Sequence, residues 1–575
     1  MNGSQILLEM FKKYKVEYVF GLPGETTIGW YKEWIQHPEI QHILVRDVRS
    51  AAYMAEAYAK VTHKPGVCEG PSPGASYLLP GVIEAFKASV PLLVFTSDVP
   101  FNMEYRNMLT GYNQTALFES VTKATFLVTK ARDLPFILRR AFRLAVTGKP
   151  GPVHIRIPAD VFGEEAPVDD LYAQDMFIHY PGHRYIANPD QALRALQILI
   201  EAKAPLMICG QGVHHSQAYD EVRELVERLQ IPVGTTMTGK GCVSDDCQWH
   251  IGVIGARGGV SLSNKFVEDA DVIFFVGTNT DSAGTNAWSL PKPSSDKIFI
   301  QLDISEAEVG NNYPVSIALV GDVKSTLGYM LRHLNDLKNS FDRRWSLRDI
   351  QKVKEYRKQL LHTKEKREEL PLNPLNIMEE VQSYLTRMRD NILIVVDPGV
   401  GCIYSSALLS NSKEGLWYIA GYSIGALGYA VPAAVGAWLG NKNNTIIVLT
   451  GDGSFGFVAG ELETLYRLNA NIKILLFRND GFGWIRAEEK FGYNLSCPFA
   501  TEFSPIDYAA IASGFGIKSY KPTSFSEFCH ALKESLINPG PSLIEILVLS
   551  EDEFVPPVPK WVAAARNAGI ENVIY

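Results

Sequence analysis

Two side chains that carry hard oxygen donors, Asp452 and Asn479, stand 27 residues apart, each at the end of an apolar run. The first run, Thr445–Thr450, is rich in β-branched residues and stops at Gly451, Asp452 and Gly453; the second, Ile472–Phe477, stops at Asn479. Between them Val458, Leu462, Leu465 and Leu468 recur at helical spacing. The pattern predicts a strand–helix–strand unit with one oxygen ligand at the same end of each strand. In an open parallel sheet, ligands bind outside the carboxyl ends of the strands, so both side chains are expected to face one crevice. A carboxylate and an amide oxygen, beside glycines that leave backbone N–H groups open at a helix start, suit a divalent cation holding a diphosphate. Magnesium fits this sparse set, because it keeps water and phosphate oxygens in its octahedron. Gly-Asp-Gly alone marks many tight turns. The chemistry therefore rests on the whole unit, with Asn479 in register.

The elements that must position these residues follow from the rest of the chain. Its 575 residues are enough for three or four domains. A hydrophobic content of 46% with 21% charged residues is that of an ordinary globular enzyme. The net charge of −8, with no basic tract carrying interleaved aromatics, disfavours nucleic acid as a partner. No segment reaches the roughly 18 uninterrupted apolar residues of a membrane helix; Tyr429–Leu439 comes nearest and holds Pro432 and Gly436. The N-terminus reads as an amphipathic helix running into a strand rather than a signal peptide, so a cytoplasmic location is expected. Seven scattered cysteines make no disulfide framework. Cys242, Cys247 and His250 match no zinc spacing and read as a surface loop.

Alternating strands and helices give an α/β class with three doubly wound parallel-sheet domains. The first spans about 1–165, with strands at Tyr18–Phe20, Ile43–Val45, Gly66–Glu69, Leu92–Thr96 and Val153–Ile157. The second, 190–335, is nucleotide-fold-like, with strands at Leu206–Cys209, Val272–Val276 and Ile298–Asp303. A charged, helix-forming stretch, Arg343–Glu369, leads into the third, 373–555, and a C-terminal tail covers 556–575. Within that stretch Lys364–Glu369 reads as a solvated helix face. The outer two segments share a layout, which fits duplication.

These features resemble the acetolactate synthase / pyruvate oxidase branch of the thiamin diphosphate enzymes. The likeness covers nearly the whole chain and is carried by Thr450–Asp480, by VFGLPG at Val19–Gly24 and by GYSIGALGYAVPAAVGA at Gly421–Ala437. It implies a pyrimidine-binding domain, a central domain and a diphosphate- and Mg2+-binding domain, in that order. It also implies that Asp452, Asn479 and the backbone carbonyl of Gly481 hold Mg2+. Pro23, Gly24, Gly399, Val400, Gly425, Gly451, Gly453, Ser454, Phe482 and Gly483 fall where the family contacts its cofactor. Leu427 takes the place of the bulky apolar residue that props the thiazolium ring, so that the cofactor bends into a V. Gln114 resembles an active-site glutamine of acetolactate synthases. Glu69–Ala75 matches a glycine-rich turn near the pyrimidine, and Asp397–Gly401 matches a loop flanking the diphosphate.

The chain departs from the family at its catalytic position. Most members place a glutamate against the pyrimidine N1′; here the matching residue is Val48, which has no side-chain hydrogen bond to offer. Glyoxylate carboligases resemble this chain in having valine there. Three readings stay open. Val48 lines the site and activation is slower; or Asp47, Glu25 or Glu69 substitutes; or the protein is a weakly active homologue. Strand alternation turns Asp47 to the other side. Glu488 stands where acetolactate synthases carry a tryptophan, and Trp484 follows Gly483 where relatives have a smaller residue. Some relatives bind FAD or an adenosine diphosphate moiety in the central domain, and Gly255–Gly259 with Asp303 is compatible with that. An arginine-rich turn expected after Val272–Gly277 is replaced by Thr278–Ser282.

The resemblance implies a thiamin diphosphate/Mg2+-dependent carboligase that decarboxylates a 2-oxo acid and joins the remaining fragment to a second carbonyl of a 2-oxo acid or aldehyde. It also implies a homodimer or homotetramer with active sites between subunits. A lyase of 2-hydroxyacyl thioesters and a cofactor-binding regulatory homologue are the alternatives.

Overall fold

The computed structural model describes residues 1–334, 341–362, 367–388, 391–570 and 573–575. Three six-stranded sheets carry the chain. The first contains β1 (Tyr18–Gly21), β2 (Gln41–Leu44), β3 (Gly66–Gly70), β4 (Leu92–Asp98), β5 (Thr125–Leu127) and β6 (Val153–Pro158), in the order β2-β1-β3-β4-β6-β5. The second contains β7 (Pro205–Cys209), β8 (Val233–Thr235), β9 (His250–Val253), β10 (Val272–Val276), β11 (Ile298–Asp303) and β12 (Val315–Val320), ordered β12-β11-β10-β7-β8-β9. The third contains β13 (Ile392–Val396), β14 (Tyr418–Ala420), β15 (Thr445–Gly451), β16 (Ile472–Arg478), β17 (Lys518–Tyr520) and β18 (Ser542–Leu547), ordered β14-β13-β15-β16-β18-β17. Registered pairs run parallel, as β16 with β18 and β3 with β4 do. The three doubly wound parallel sheets expected from the alternation are therefore present. The outer sheets share one strand order, while the central sheet has the order of dinucleotide-binding folds.

The chain folds into two compact units. One comprises Met1–His183, Gly421–Ile446 and Gly456–Ile472; the other comprises Arg184–Ala420, Ile447–Phe455 and Lys473–Tyr575. In the first unit the Val48–Thr62 helix is the centre of packing. Asp47 caps it by accepting from the backbone N–H of Arg49 (2.9 Å). Its alanines at 51, 52, 55, 57 and 59 are fully buried and let neighbours approach closely. A Cβ on Gly66 would lie 2.1 Å from the Ala55 carbonyl oxygen, and one on Gly436 only 1.9 Å from that of Met54. Gly436 belongs to the Ala430–Gly440 helix, which is apolar on nearly every side because this contact buries it. Tyr429 Oη, at its start, donates to Glu56 Oε2 (2.6 Å), and Lys60 Nζ pairs with Glu56 Oε1 at 2.5 Å.

In the second unit, the side chains of Cys242, Cys247 and His250 are interior rather than on a surface loop, although Asp246 and Gln248 between them are exposed. Cys242, Cys247 and His250 are buried, and His250 opens β9. Their apolar neighbours claim them for the core, as is common for free cysteine. Nearby, the fully buried Lys240 donates to the carbonyls of Ser406 (2.9 Å) and Leu409 (2.6 Å) and lies over the Trp417 ring. Burial pushes this ammonium down to about 7. Among the described residues the charged connector forms a helix over Leu347–Leu361; of the expected solvated face, 364–366 lie outside the described residues. Residues 559–567 form a helix whose Trp561 packs on Trp484, ring centroids 4.1 Å apart.

Candidate active site

β13, β15 and β16 are neighbours, and each ends in residues singled out by type: Asp397, Asp452 and Asn479. The segment between β15 and β16 is not one helix. It breaks into a turn at Asp452–Phe455 and, after Gly456, a 3-10 turn at Ala459–Glu461 that runs directly into a helix at Leu462–Leu468. Asp452 is 2% exposed and tightly held. Its Oδ1 accepts from the N–H of Gly453 (2.8 Å), and its Oδ2 accepts from those of Asn479 (3.1 Å) and Asp480 (2.7 Å). These bonds tie the two strand ends together, as the register of the sequence unit requires. Burial pushes the Asp452 carboxyl up to about 6 against these three donors.

The side chain of Asn479 is oriented as well. Its Nδ2 donates to Oε2 of the buried Glu551 at 2.8 Å, so Oδ1 is turned away from that carboxylate. Arg486 Nη2 donates to the Asn479 carbonyl (3.2 Å), and a Cβ on Gly481 would lie 2.2 Å from that same nitrogen. Gly453 lies under the Phe482 ring, where a Cβ would come within 2.9 Å. Gly451 closes β15, and Ser454 is buried beside Asp452. Asp397 Oδ2 accepts from Thr450 Oγ1 (2.7 Å). Gly399, at φ +125° with open space at its Cβ position, leads into the helix that Val400 opens. Among the described residues no three His, Cys, Asp or Glu side chains gather around a common point. A cation here can draw on a carboxylate, an amide oxygen and a carbonyl, a set that fits magnesium with phosphate and water completing the shell.

A second cluster lies in the first unit. Val48 is buried as the first residue of its helix and packs on the turn after β3: a Cβ on Gly70 or Gly74 would meet its methyls at 3.3 and 3.2 Å. Gly24 lies against Pro71 of the same turn, with Pro23 exposed beside it. Gln114 is fully buried, and its Nε2 donates to Ser72 Oγ (3.2 Å) and the Ser97 carbonyl (3.1 Å). Pro23, Gly24, Val48, the Glu69–Ala75 turn and Gln114 are thus brought together. Asp47 and one oxygen of Glu69 are engaged elsewhere, while Glu69 Oε2 is buried without a hydrogen bond among the described residues. Asp47 precedes a helix rather than extending a strand, so alternation does not orient it; it folds back onto the Arg49 guanidinium. Glu69 accepts from Tyr31 Oη and pairs with His42 Nε2 (3.0 Å), and Glu25 is exposed.

Leu427 is half-buried, in the turn before the Ala430–Gly440 helix, and Gly425 has φ +72° with open space around it. Glu84 holds this loop: its two oxygens accept from the backbone N–H groups of Ser423 and Ile424, each at 2.9 Å. Glu461 Oε1 in turn accepts from the N–H groups of Arg46 and Asp47, each at 2.9 Å, just ahead of Val48. Burial raises both glutamates above the usual carboxylate range. Glu84, Glu461 and Glu551 were not singled out from the sequence. Nothing local marks them, since each bonds a partner at least 72 residues away.

Two further positions are settled by contacts. Glu488 accepts from Trp561 Nε1 and Lys560 Nζ (3.0 Å), which pins the C-terminal helix. In the Gly255–Gly259 loop, a Cβ on Gly255 would meet the Gly284 carbonyl at 2.5 Å and one on Gly258 would meet Ser406 Oγ at 2.2 Å, so these glycines answer to packing.

Three family descriptions match in turn: the thiamine pyrophosphate enzyme N-terminal TPP binding domain over residues 1–117, the central domain over 193–330 and the C-terminal TPP binding domain over 399–546. The chain belongs to the thiamine pyrophosphate (thiamin diphosphate) enzyme family. It is 30% identical over 570 residues to a probable acetolactate synthase large subunit of Methanococcus aeolicus, covering 97% of this chain and 94% of the relative. It is 29% identical over 576 residues to an acetolactate synthase of Arthrospira platensis, covering 97% and 96%. Among the described residues no helix is long and apolar enough to cross a membrane.

Proposed function

We propose that the protein is a thiamin diphosphate/Mg2+-dependent carboligase that decarboxylates a 2-oxo acid and joins the remaining fragment to a second 2-oxo acid or an aldehyde. The observation that carries this reading is the Asp452 carboxylate, fixed by three backbone N–H groups across two neighbouring strand tips. Asp452, Asn479 through Oδ1 and the Gly481 carbonyl hold Mg2+. Gly453 and Ser454 contact the diphosphate, with Gly399, Val400, Gly451, Phe482 and Gly483 around it. Pro23, Gly24, Val48 and Gln114 form the pyrimidine side, and Gly425 and Leu427 support the thiazolium ring. When bound, the cofactor supplies a nucleophilic carbon and an electron sink for decarboxylation. The domain limits that go with this assignment are 1–165, 190–335 and 373–555, followed by 556–575.

Val48 gives the pyrimidine nitrogen no hydrogen-bond partner, as in glyoxylate carboligases; Asp47 is committed to Arg49, and Glu69 Oε1 to Tyr31 and His42. Proton removal from the cofactor is therefore slower than in relatives with a glutamate. Glu488, pinned by Trp561, and the bulky Trp484 argue for an acceptor other than that of acetolactate synthesis. The active form is a homodimer or homotetramer, a reading supported by Tyr105 and Leu109, which are 94% and 99% exposed; sedimentation checks it.

Calorimetry of thiamin diphosphate with and without Mg2+ tests the cofactor assignment: Asp452→Ala is expected to abolish Mg2+-dependent uptake, and retained affinity would refute the ligand set. Mass spectrometry of products from pyruvate, glyoxylate and a 2-hydroxyacyl thioester separates carboligation from thioester cleavage.

A further inference from the structure

Glu551 lies four residues past the end of β18, the strand paired with β16, which leads to Asn479. It is 3% exposed, and its Oε2 accepts from the Asn479 amide Nδ2 at 2.8 Å. The turn that carries it is internally braced. Ser550 Oγ donates to Asp552 and Glu553, and the N–H of Phe554 donates to the Ser550 carbonyl (2.9 Å). The approach of the two side chains also explains a glycine. A Cβ on Gly483 would lie 1.8 Å from Glu551 Oε2 and 2.4 Å from Asn479 Nδ2, so no larger residue fits beside the pair.

An asparagine amide has two faces, and only its oxygen can ligate a hard cation. Glu551 Oε2 accepts from the NH2 group, which leaves the amide oxygen facing the other way. Turning the amide over would set two acceptors against each other in a buried place, where an unmatched polar contact is most costly. We infer that Glu551 is the positioning residue of the metal centre, holding the Asn479 amide so that Oδ1 is presented to Mg2+. This rests on the reading of Asn479 as a metal ligand. Outer-sphere partners of this kind change metal affinity by about 10–100-fold.

The test measures Mg2+ affinity at saturating thiamin diphosphate and pH 8, by calorimetry on the full chain, with Mn2+ binding followed by electron paramagnetic resonance as a second readout. Glu551→Leu should weaken both by about 10-fold or more. Glu551→Gln, which keeps an acceptor for Nδ2, should stay within about threefold of the parent, provided the acceptor rather than the charge does the orienting. In an Asn479→Ala background Glu551→Leu should cost nothing further, an outcome that a merely structural role does not produce. Thermal unfolding identifies a variant that has not folded, in which case the Gln variant and the Asn479→Ala pairing with it decide. Unchanged affinity in Glu551→Leu, or an equal loss with and without Asn479, overturns the inference while leaving the cofactor assignment intact. Absence of any Mg2+-dependent uptake by the parent chain overturns both.

Discussion

At the scale of single residues, Val48 is the most consequential position. Its neighbours are the glycines of the Glu69–Ala75 turn, and the carboxylate that precedes it, Asp47, is bonded to Arg49. Val48→Glu is therefore expected to raise the rate of hydrogen–deuterium exchange at C2 of bound thiamin diphosphate, read by proton NMR after acid quench. An unchanged rate would place Val48 away from the pyrimidine. The gain should exceed about tenfold if the new carboxylate acts as a positioned acid–base group. How far single residues were legible depended on whether their role is local. Asp452 and Asn479 announce themselves because each ends an apolar run, and Gly453 and Gly481 near them are close approaches in the fold. Glu551 does not: it sits in Glu551-Asp552-Glu553, which in sequence reads as a solvated loop, and its partner is 72 residues upstream. A trace it leaves is Gly483, where a Cβ would collide with that contact.

At the scale of elements, β-branched runs predicted the interior strands well. β10 and β11 stand where the sequence placed them, and β3, β4 and β16 differ by one or two residues at their ends. Short edge strands such as β5 and β17 were missed, because three residues cannot carry a period. The leucine spacing after Asp452 predicts one continuous helix; the structure interrupts it at Gly456. Helix pairing was not legible at all, since it depends on shape rather than pattern. Gly436 shows the cost of ignoring shape. An alanine there drives a Cβ onto the Met54 carbonyl, and Gly436→Ala should destabilise the protein by about 3 kcal/mol or prevent folding, as read by denaturant unfolding. Gly399→Ala offers the opposite control for packing, because its Cβ position is open and only the positive φ opposes substitution.

At the scale of the whole molecule, buried charge sets a pH dependence that no motif records. Lys240 has a folded pKa of about 7, below the ordinary lysine value of 10.5. Between those values the unfolded chain binds more protons than the folded one, so this group makes stability rise as pH rises from about 7 towards 10. Below pH 7 it is charged in both states and contributes no slope. Lys240→Met removes this slope, and the melting temperature of the parent should gain on that of the variant between pH 7 and pH 9. The division of the chain has a different kind of consequence. Residues 421–446 and 456–472 fold with the first 183 residues, although the sequence places them within the last sheet's segment. Shuffling this gene with that of a relative therefore has natural crossover points that are not the gaps between sheets. A recombinant that inherits Val48–Thr62 and Ala430–Gly440 from one parent keeps a matched pair of surfaces. One that splits them between parents confronts a foreign backbone at Gly436, and such progeny should be lost from a library before any question of catalysis arises.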